Sequence, residues 1–198
     1  VVLRRWKRNS DVYRSVVFSR VDSGMESIAD LPGHVIAFGE PFSTSGYLMP
    51  KAALAASELN LVNYEDPAAS VPADEVGYVF SNDAENTMVW VLKGKVAAGA
   101  VNEDYFKELA GSRFSELRIL HRTESVPRNI VSVRASLDAT VTGSLTTILL
   151  GMESDEEGRL VLEGFEETIR FDRFPEGPAS AVEKVVALLP FVEEDLGK

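Results

Sequence analysis

The residues best suited to chemistry lie in one segment, Phe38–Pro50, which reads F-G-E-P-F-S-T-S-G-Y-L-M-P. A compact apolar run ends at Gly39, and the three consecutive hydroxyl residues Ser43–Ser45 precede Gly46. A helix that begins here leaves free backbone N–H groups and a partial positive charge in its first turn. The hydroxyls add hydrogen-bond donors, and glycine lets the backbone approach a ligand closely. The segment therefore supplies the donors that a tetrahedral anion needs, without a Lys or Arg.

This pattern has an ordinary structural alternative. Ser and Thr are preferred at any helix N-cap, so the residues alone support a simple cap and an anion site equally. The segment follows a predicted buried strand, and open α/β sheets bind ligands at the carboxyl ends of their strands. Neither interpretation identifies a ligand.

No comparable pattern predicts catalysis, a metal or a cofactor. The two histidines, His34 and His121, have no metal-ligand spacing, and Cys is absent. The sequence has no G-x-S-x-G motif of a nucleophilic serine, and Gly94-Lys95 lacks the flanking residues of a phosphate-binding P-loop. We therefore expect no catalytic residue, no metal and no cofactor. Among the aromatic residues, Tyr47 is the best candidate for a ligand contact because it follows the hydroxyl segment directly.

The composition indicates a globular protein that does not bind nucleic acid. Of the 198 residues, 45% are hydrophobic and 26% are charged, and the formal net charge is −11. Phosphate backbones select for clustered Lys and Arg, whereas the one basic cluster here, Arg4–Arg8, is predicted to be solvated. No apolar run approaches the roughly 18–20 residues of a membrane span. No signal peptide is recognised, so a secreted protein is expected to be shown here in a mature or shortened form.

The elements that must position the hydroxyl segment alternate between strands and helices. Strands are predicted at 13–20, 34–39, 61–64, 76–81, 96–101, 117–121 and 129–133. Helices are predicted at 25–31, within 45–59, and at 84–93, 102–110, 140–152, 155–165 and 179–192. Pro50 divides the second of these helices. The alternation predicts an α/β fold with a largely parallel sheet, and the helices after residue 138 are expected to pack on a second lobe.

Several segments, in this order along the chain, resemble one protein family. They read VYRSVVFSRVDSG, SIADLPGHVIAFGEPFSTSGYLMPKAAL, GKVAAG, LRILHRTESVPRNIVSVR and MESDEEGRLVLEGF. The STSG context in this order is similar to the phosphonate-binding (PhnD-like) family of periplasmic solute-binding proteins of phosphonate and phosphate ABC transporters. The resemblance runs from about residue 10 to about residue 192.

The resemblance implies an α/β fold of the type II periplasmic-binding-protein kind, with two lobes and mainly parallel sheets. The first lobe is expected to be incomplete, because family members usually carry roughly a hundred further residues before this point. Residues 1–24 are interpreted as the crossover strand region at the end of that missing segment. Residues 25–126 then form the second lobe with the anion-binding loop, and residues 127–198 the return crossover with helices packing on the first lobe. The hinge is expected within Val126–Arg134, stiffened by Pro127.

The function implied by the resemblance is capture of a phosphonate, phosphite or phosphate-like oxyanion for delivery to an ABC permease in the membrane. The expected ligand-binding residues are Ser43, Thr44, Ser45, Gly46 and Tyr47. The protein is expected to be periplasmic, or extracellular and membrane-anchored, and its oligomeric state stays open.

The sequence departs from the family pattern at two positions. Ala84 stands where many members have His, and Ala97 stands where Asp is common. Both changes remove groups that could recognise the rest of a ligand.

Two other functions remain open at this point. The same fold serves as a ligand-sensing effector domain of transcription factors or as the sensor region of membrane kinases. An enzyme of phosphorus-compound metabolism is the third hypothesis, but it needs a nucleophile or base in the cleft, and the sequence offers no convincing one.

Overall fold

The computed structural model describes residues 3–192, except for the side chains of residues 178, 180 and 181. The chain divides into two compact units, the first formed by Val1–Tyr13 and Ser125–Ala187 and the second by Arg14–Glu124 and Leu188–Lys198. The predicted boundary at residue 24 differs, because the strand that begins at Ser15 already belongs to the second unit. Residues 193–198 of the predicted third segment lie outside the described residues.

The elements alternate much as predicted through the second unit. The strands are β1 (Leu3–Lys7), β2 (Val12–Tyr13), β3 (Ser15–Arg20), β4 (Val35–Phe38), β5 (Asn60–Asn63), β6 (Glu75–Phe80), β7 (Ala98–Asn102), β8 (Leu117–Arg122), β9 (Val126–Pro127), β10 (Ile130–Val131) and β11 (Thr168–Asp172). The α-helices are α1 (Met49–Ala56), α2 (Ala84–Leu92), α3 (Glu103–Ala110), α4 (Ala139–Gly151), α5 (Glu156–Gly164) and α6 (Pro178–Val186). Thr44–Leu48 forms a π-helical turn in front of α1, and short 3-10 segments lie at Val21–Ser23, Ile28–Asp30, Gly111–Glu116, Met152–Ser154 and Leu189–Phe191.

The second unit is built on a six-stranded sheet in the order β5-β6-β4-β7-β3-β8. The strands β5, β6, β4 and β7 are parallel to one another. In contrast, β3 runs antiparallel to both of its neighbours, β7 and β8. The sheet is therefore mixed, and the predicted parallel arrangement holds for its four consecutive strands β5, β6, β4 and β7.

Helices cover this sheet on both faces. On β4, Val35 and Ala37 belong to the core cluster that packs α2 and α3, whereas Ile36 and Phe38 belong to the cluster that includes residues of the π turn and α1. All four residues of β4 are buried for this reason, which is typical of a parallel strand covered on both faces. Because successive helices leave β4 and β6 toward opposite faces, a crevice opens where these strands end.

The first unit holds a three-stranded antiparallel sheet in the order β10-β1-β11. Its core consists of Leu3, Leu162 and Phe171. The prediction that only helices follow residue 138 is wrong, since Thr168–Asp172 forms β11. The basic cluster is also not simply solvated: Arg5 is 4% exposed in β1 and pairs with Glu166 at 3.1 Å.

Candidate anion-binding site

A pocket of about 280 Å³ lies at the carboxyl end of the six-stranded sheet, where β4, β6 and β7 end. We call it the carboxyl-end pocket. The segments that follow these three strands each begin a helix beside it, at Ser43, Asp83 and Asn102. The resulting arrangement directs three helix N-termini toward one small space, and each contributes backbone N–H groups and a partial positive charge.

The first of these N-termini is the π turn, and Pro50 explains its geometry. Proline has no N–H group, so it cannot bond the carbonyl of Gly46 as a helical residue would. That carbonyl accepts the N–H of Gly39 instead, at 3.0 Å. The N–H of Met49 reaches back to the carbonyl of Thr44, five residues earlier. The predicted break at Pro50 is confirmed, and it fixes the turn against the end of β4.

A buried serine of the neighbouring strand holds the same turn from the other side. The Ser15 hydroxyl lies 2.6 Å from the carbonyl oxygen of Ser45 and 3.0 Å from that of Val101. Ser15 is fully buried and opens β3, which is antiparallel to β7. The antiparallel direction of β3 is therefore what brings this hydroxyl to the carboxyl end of the sheet.

The inside of the turn leaves donors free for a ligand. The Ser43 side chain accepts the N–H of Gly46 at 3.0 Å as an N-cap. Within the described chain, no hydrogen bond uses the backbone N–H of Thr44 or Ser45, or the hydroxyl of Ser45. A Cβ atom on Gly46 would lie 2.8 Å from the Ser43 Oγ, so a side chain there would displace the cap. Gly46 is thus required for the shape of the turn.

The second N-terminus belongs to α2. Asp83 accepts the N–H of Asn86 at 2.6 Å and the Asn86 side-chain amide at 2.9 Å. Asn82, with φ of 79°, takes the left-handed conformation that Asn tolerates better than most residues. Its N–H donates to the Gly39 carbonyl at 3.2 Å. This bond ties the start of α2 to the end of β4.

The third N-terminus belongs to α3, where Asn102 accepts the N–H of Asp104 at 2.8 Å. The next residue, Glu103, is 8% exposed and is held by Arg14 at 2.5 Å and by Arg122 at 3.1 Å. Burial alone would raise the pKa of the Glu103 carboxyl. The hydrogen bonds from the two arginines and the charge of Lys107 outweigh burial and hold its pKa below the ordinary value. Three basic side chains are thereby engaged beside the pocket rather than inside it.

The structure brings together three of the five predicted ligand residues. Ser43, Ser45 and Gly46 line the pocket. Thr44 lies in the same turn and offers its backbone N–H, but its side chain does not line the pocket. Tyr47 is placed elsewhere.

Tyr47 is fully buried in the core, where its ring packs edge-on against Phe38 and Phe80. Its hydroxyl accepts a hydrogen bond from Lys51 at 2.9 Å. The sequence held a signal for this placement, since Lys51 and Leu54 follow Tyr47 at the spacing of one helix face, and both are buried.

The two departures from the family pattern fall in different places. Ala84 lines the carboxyl-end pocket. Ala97 lies instead at the opposite end of the sheet. The absence of an Asp at position 97 therefore removes no group from the pocket around Ser43.

The sequence interpretation missed several residues that line the pocket or shape it, among them Glu40, Asp83, Tyr105 and Ser15. Asp83 was recognisable as an N-cap, because it directly precedes a predicted helix. Its closeness to Ser43 was not, because it depends on β6 lying beside β4.

A second cavity, of about 320 Å³, lies at the amino ends of β4 and β7. We call it the amino-end pocket. Arg20, His34 and Lys95 line it together with the C-terminal end of α2. The Arg20 Nε pairs with Asp22 at 2.7 Å, and the Lys95 ammonium lies 3.5 Å from the centre of the Trp90 ring. Helix α2 closes in a Schellman motif, with Lys95 N–H bonded to Trp90 O at 2.9 Å and Gly94 N–H bonded to Val91 O.

Residues 3–192 contain neither a metal-binding cluster nor a helix suited to a membrane. No set of three or more His, Asp or Glu residues there is arranged to hold a metal ion. None of the helices in that range combines the length and the apolar character that crossing a membrane requires.

A sequence profile of one family matches residues 1–177. The family is described as the periplasmic substrate-binding protein of phosphonate ABC transporters. The profile therefore covers most of the chain, including all three helix N-termini of the carboxyl-end pocket.

Solved structures show the same fold. XAC2383 from Xanthomonas citri, bound to ATP, is 25% identical with a TM-score of 0.91, and the alignment covers 98% of this chain and 71% of that one. PhnD1 from Prochlorococcus marinus (MIT 9301), in complex with methylphosphonate, is 17% identical with a TM-score of 0.66 and coverages of 98% and 71%. A binding-protein component of an ABC phosphonate transporter from Pseudomonas aeruginosa is 16% identical with a TM-score of 0.60 and coverages of 100% and 73%.

Proposed function

The chain belongs to the family of periplasmic substrate-binding proteins of phosphonate ABC transporters, and from that premise we propose that it captures a small phosphorus oxyanion in the carboxyl-end pocket. The ligand class is a phosphonate, a phosphite or a phosphate. The proteins of this family bind substrates for transport and are not enzymes.

One observation carries the proposal: the pocket offers hydrogen-bond donors that nothing else in the described chain uses. They are the backbone N–H groups of Thr44 and Ser45 and the Ser45 hydroxyl. Oriented N–H groups at a helix N-terminus bind tetrahedral anions without a basic side chain. The Ser43 cap, Gly46 and the Ser15 hydroxyl hold these donors in place.

The solved relatives support the ligand class. PhnD1 from Prochlorococcus marinus was solved with methylphosphonate and XAC2383 from Xanthomonas citri with ATP. Both ligands present oxygen atoms on a tetrahedral phosphorus. We propose that this chain recognises the same chemical group.

A nucleotide is the second candidate ligand, favoured by the TM-score of 0.91 to the ATP-bound XAC2383. The pocket volume argues for the smaller ligand. At about 280 Å³ it falls just below the roughly 300–1,000 Å³ of pockets that enclose drug-sized ligands.

The biological role follows from the family. A ligand that binds one conformation better than another shifts the protein toward it, and hinge closure around the ligand is the motion proposed here. We propose that the protein delivers the ligand to an ABC permease. Its proposed location is periplasmic, or extracellular and membrane-anchored. The regulator alternative gains no support from the matches.

The test is calorimetry and thermal unfolding with methylphosphonate, phosphite, phosphate and ATP. A ligand at about 100 times its Kd stabilises the fold by about 2.7 kcal/mol, which raises the Tm of a chain of this size by roughly 5–10 °C. The variant Ser45→Ala loses a hydrogen bond to a charged ligand, so we expect its affinity to fall about tenfold or more.

Ser57→Ala is the matched control, because Ser57 lies at the other end of the same helix and its hydroxyl donates to the Ala53 carbonyl at 3.0 Å. Its affinity should equal that of the parent chain. Oxyanion binding that Ser45→Ala leaves unchanged would contradict the proposed site.

A further inference from the structure

The charges that surround the carboxyl-end pocket are unusual for an anion site. Glu40, Asp83 and Glu85 are among the residues that line it, and the described residues that line it include no Lys, Arg or His. Within the described chain, neither Glu40 nor Glu85 makes an ion pair or a side-chain hydrogen bond. The pocket therefore combines free N–H donors with unpaired carboxylates.

The helix dipoles offset this negative charge only in part. Asp83 already places a full negative charge on the N-terminus of α2, through its bond to Asn86 N–H. The N–H of Glu103, in the first turn of α3, donates to the Arg14 carbonyl at 3.0 Å and faces no ligand. The basic side chains of Arg14, Lys107 and Arg122 are engaged by Glu103, which follows the pocket residue Asn102. A ligand with two full negative charges would thus meet unneutralised carboxylates as well as the hydrogen-bond donors of the turn.

A protonated oxyanion fits the same surroundings better. An ionised carboxylate can only accept hydrogen bonds, so it repels an oxygen that carries no proton. A P–OH group donates to a carboxylate in a charge-assisted hydrogen bond, which is among the stronger kinds. The remaining oxygens of the same ligand still accept from Thr44 N–H, Ser45 N–H and the Ser45 hydroxyl.

We propose that the carboxyl-end pocket selects a tetrahedral oxyanion that carries one negative charge and one proton, with the carboxylate of Glu40 or Glu85 accepting the hydrogen bond from its P–OH group. The proposal rests on the proposed function and adds the protonation state of the ligand to it. Sulfate, which has the same shape but no proton near neutral pH, is excluded by this arrangement.

The experiment is calorimetric titration of the parent chain with methylphosphonate at a series of pH values spanning the second ionisation of the ligand, with sulfate as the unprotonated comparison. The apparent Kd of a ligand that binds in one form scales inversely with the fraction of that form. We therefore expect the affinity to fall about tenfold for each pH unit above that ionisation, and sulfate not to compete. An affinity that stays constant or rises with pH, or sulfate binding as tight as methylphosphonate, overturns the proposal.

The expected fall of affinity with pH is attributed to ionisation of the ligand rather than of the protein. The reference pKa values of carboxyl groups lie near 4, and those of Tyr, Lys and Arg at about 10 or above, on either side of the range of the experiment. The titratable groups facing the ligand and the elements behind it are Glu40, Asp83, Glu85, Tyr105, Glu103, Lys107, Arg14 and Arg122. Neither His34 nor His121 lines the pocket.

Variants identify the accepting carboxylate. Glu85→Gln and Glu40→Gln each remove one negative charge, and in the variant that lacks the acceptor we expect the fall of affinity with pH to flatten. The same steep fall in both single variants and in the double variant overturns the assignment. If Ser45→Ala does not weaken binding, the proposed site is refuted. If binding needs Ser45 but does not depend on pH, only the selectivity for the protonated ligand is refuted.

Discussion

The carboxyl-end and amino-end pockets lie at opposite ends of the same strands and are lined by residues of opposite charge. On charge alone, the amino-end pocket would be the better anion site. Acidic side chains line the carboxyl-end pocket, and the amino-end pocket contains Arg20, His34 and Lys95 with no acidic residue among its described lining. In both, the side chains carry the charge that offsets the local helix dipole: carboxylates stand at helix N-termini and cations at the C-terminus of α2.

Under the proposed function, available hydrogen-bond donors rather than side-chain charge distinguish the ligand site. At the amino end Arg20 is engaged by Asp22, and Lys95 by the Trp90 ring, and the Schellman motif uses the backbone N–H groups of Gly94 and Lys95. At the carboxyl end the N–H groups of Thr44 and Ser45 have no partner in the described chain. The comparison therefore supports our proposal that the oxyanion binds in the acidic carboxyl-end pocket.

The largest effect on oxyanion affinity is expected from substituting the glycine of the carboxyl-end pocket, compared with the same substitution at the amino-end pocket. In Gly46→Ala the new Cβ lies 2.8 Å from Ser43 Oγ, so the cap breaks and the ligand donors move. We expect oxyanion affinity to fall roughly tenfold to a hundredfold, since each hydrogen bond to a charged group is worth about 1.5–3 kcal/mol. Calorimetry measures this directly.

Gly94→Ala is the counterpart at the amino end. Gly94 has a φ of 66°, so the variant should lose about 1–2 kcal/mol of stability and keep the parent affinity. Reduced affinity in Gly94→Ala with full affinity in Gly46→Ala would reverse the assignment of the two pockets.

A smaller effect tests the charges behind the carboxyl-end pocket. The low pKa of Glu103 means that its ion pairs stabilise the fold above the unfolded pKa of about 4.3, and that this stability is lost as the pH falls through the folded pKa. Glu103→Gln should cost roughly 1–3 kcal/mol at neutral pH, with the difference from the parent shrinking in acid. Urea unfolding at neutral pH and near pH 3 gives both values.

Glu108→Gln on the same helix is the control for that measurement, because Glu108 is exposed and makes no ion pair in the described chain. It should change the unfolding free energy by less than about 0.5 kcal/mol at either pH. An equal loss of unfolding free energy in both variants would show that the ion pairs of Glu103 do not stabilise the fold.

The sequence predicted the local parts of the site and not their assembly. The buried run before Gly39, the break at Pro50 and the helix starts at residues 84 and 103 follow from propensity and capping rules, which act over a few residues. The meeting of Ser43 with Asp83 and Asn102 depends on strand order, which those rules do not specify.

The errors have the same origin. The strand β11 pairs with β1, as in the pair Arg4↔Asp172, and a pairing across most of the chain leaves no local pattern. The antiparallel direction of β3, which places Ser15 beside Ser45, is likewise invisible in a single strand's residues. Tyr47 was misplaced because nearness in sequence to the hydroxyl segment was given more weight than its position on the buried face of the helix.

The most direct test of the central claim is a titration of the isotope-labelled chain with methylphosphonate, followed by backbone amide NMR. The account predicts progressive downfield shifts of the Thr44 and Ser45 amide protons as they donate to the ligand, with the amides of Gly94 and Lys95 unmoved. Shifts confined to Gly94 and Lys95, with Thr44 and Ser45 unchanged at saturation, would contradict it.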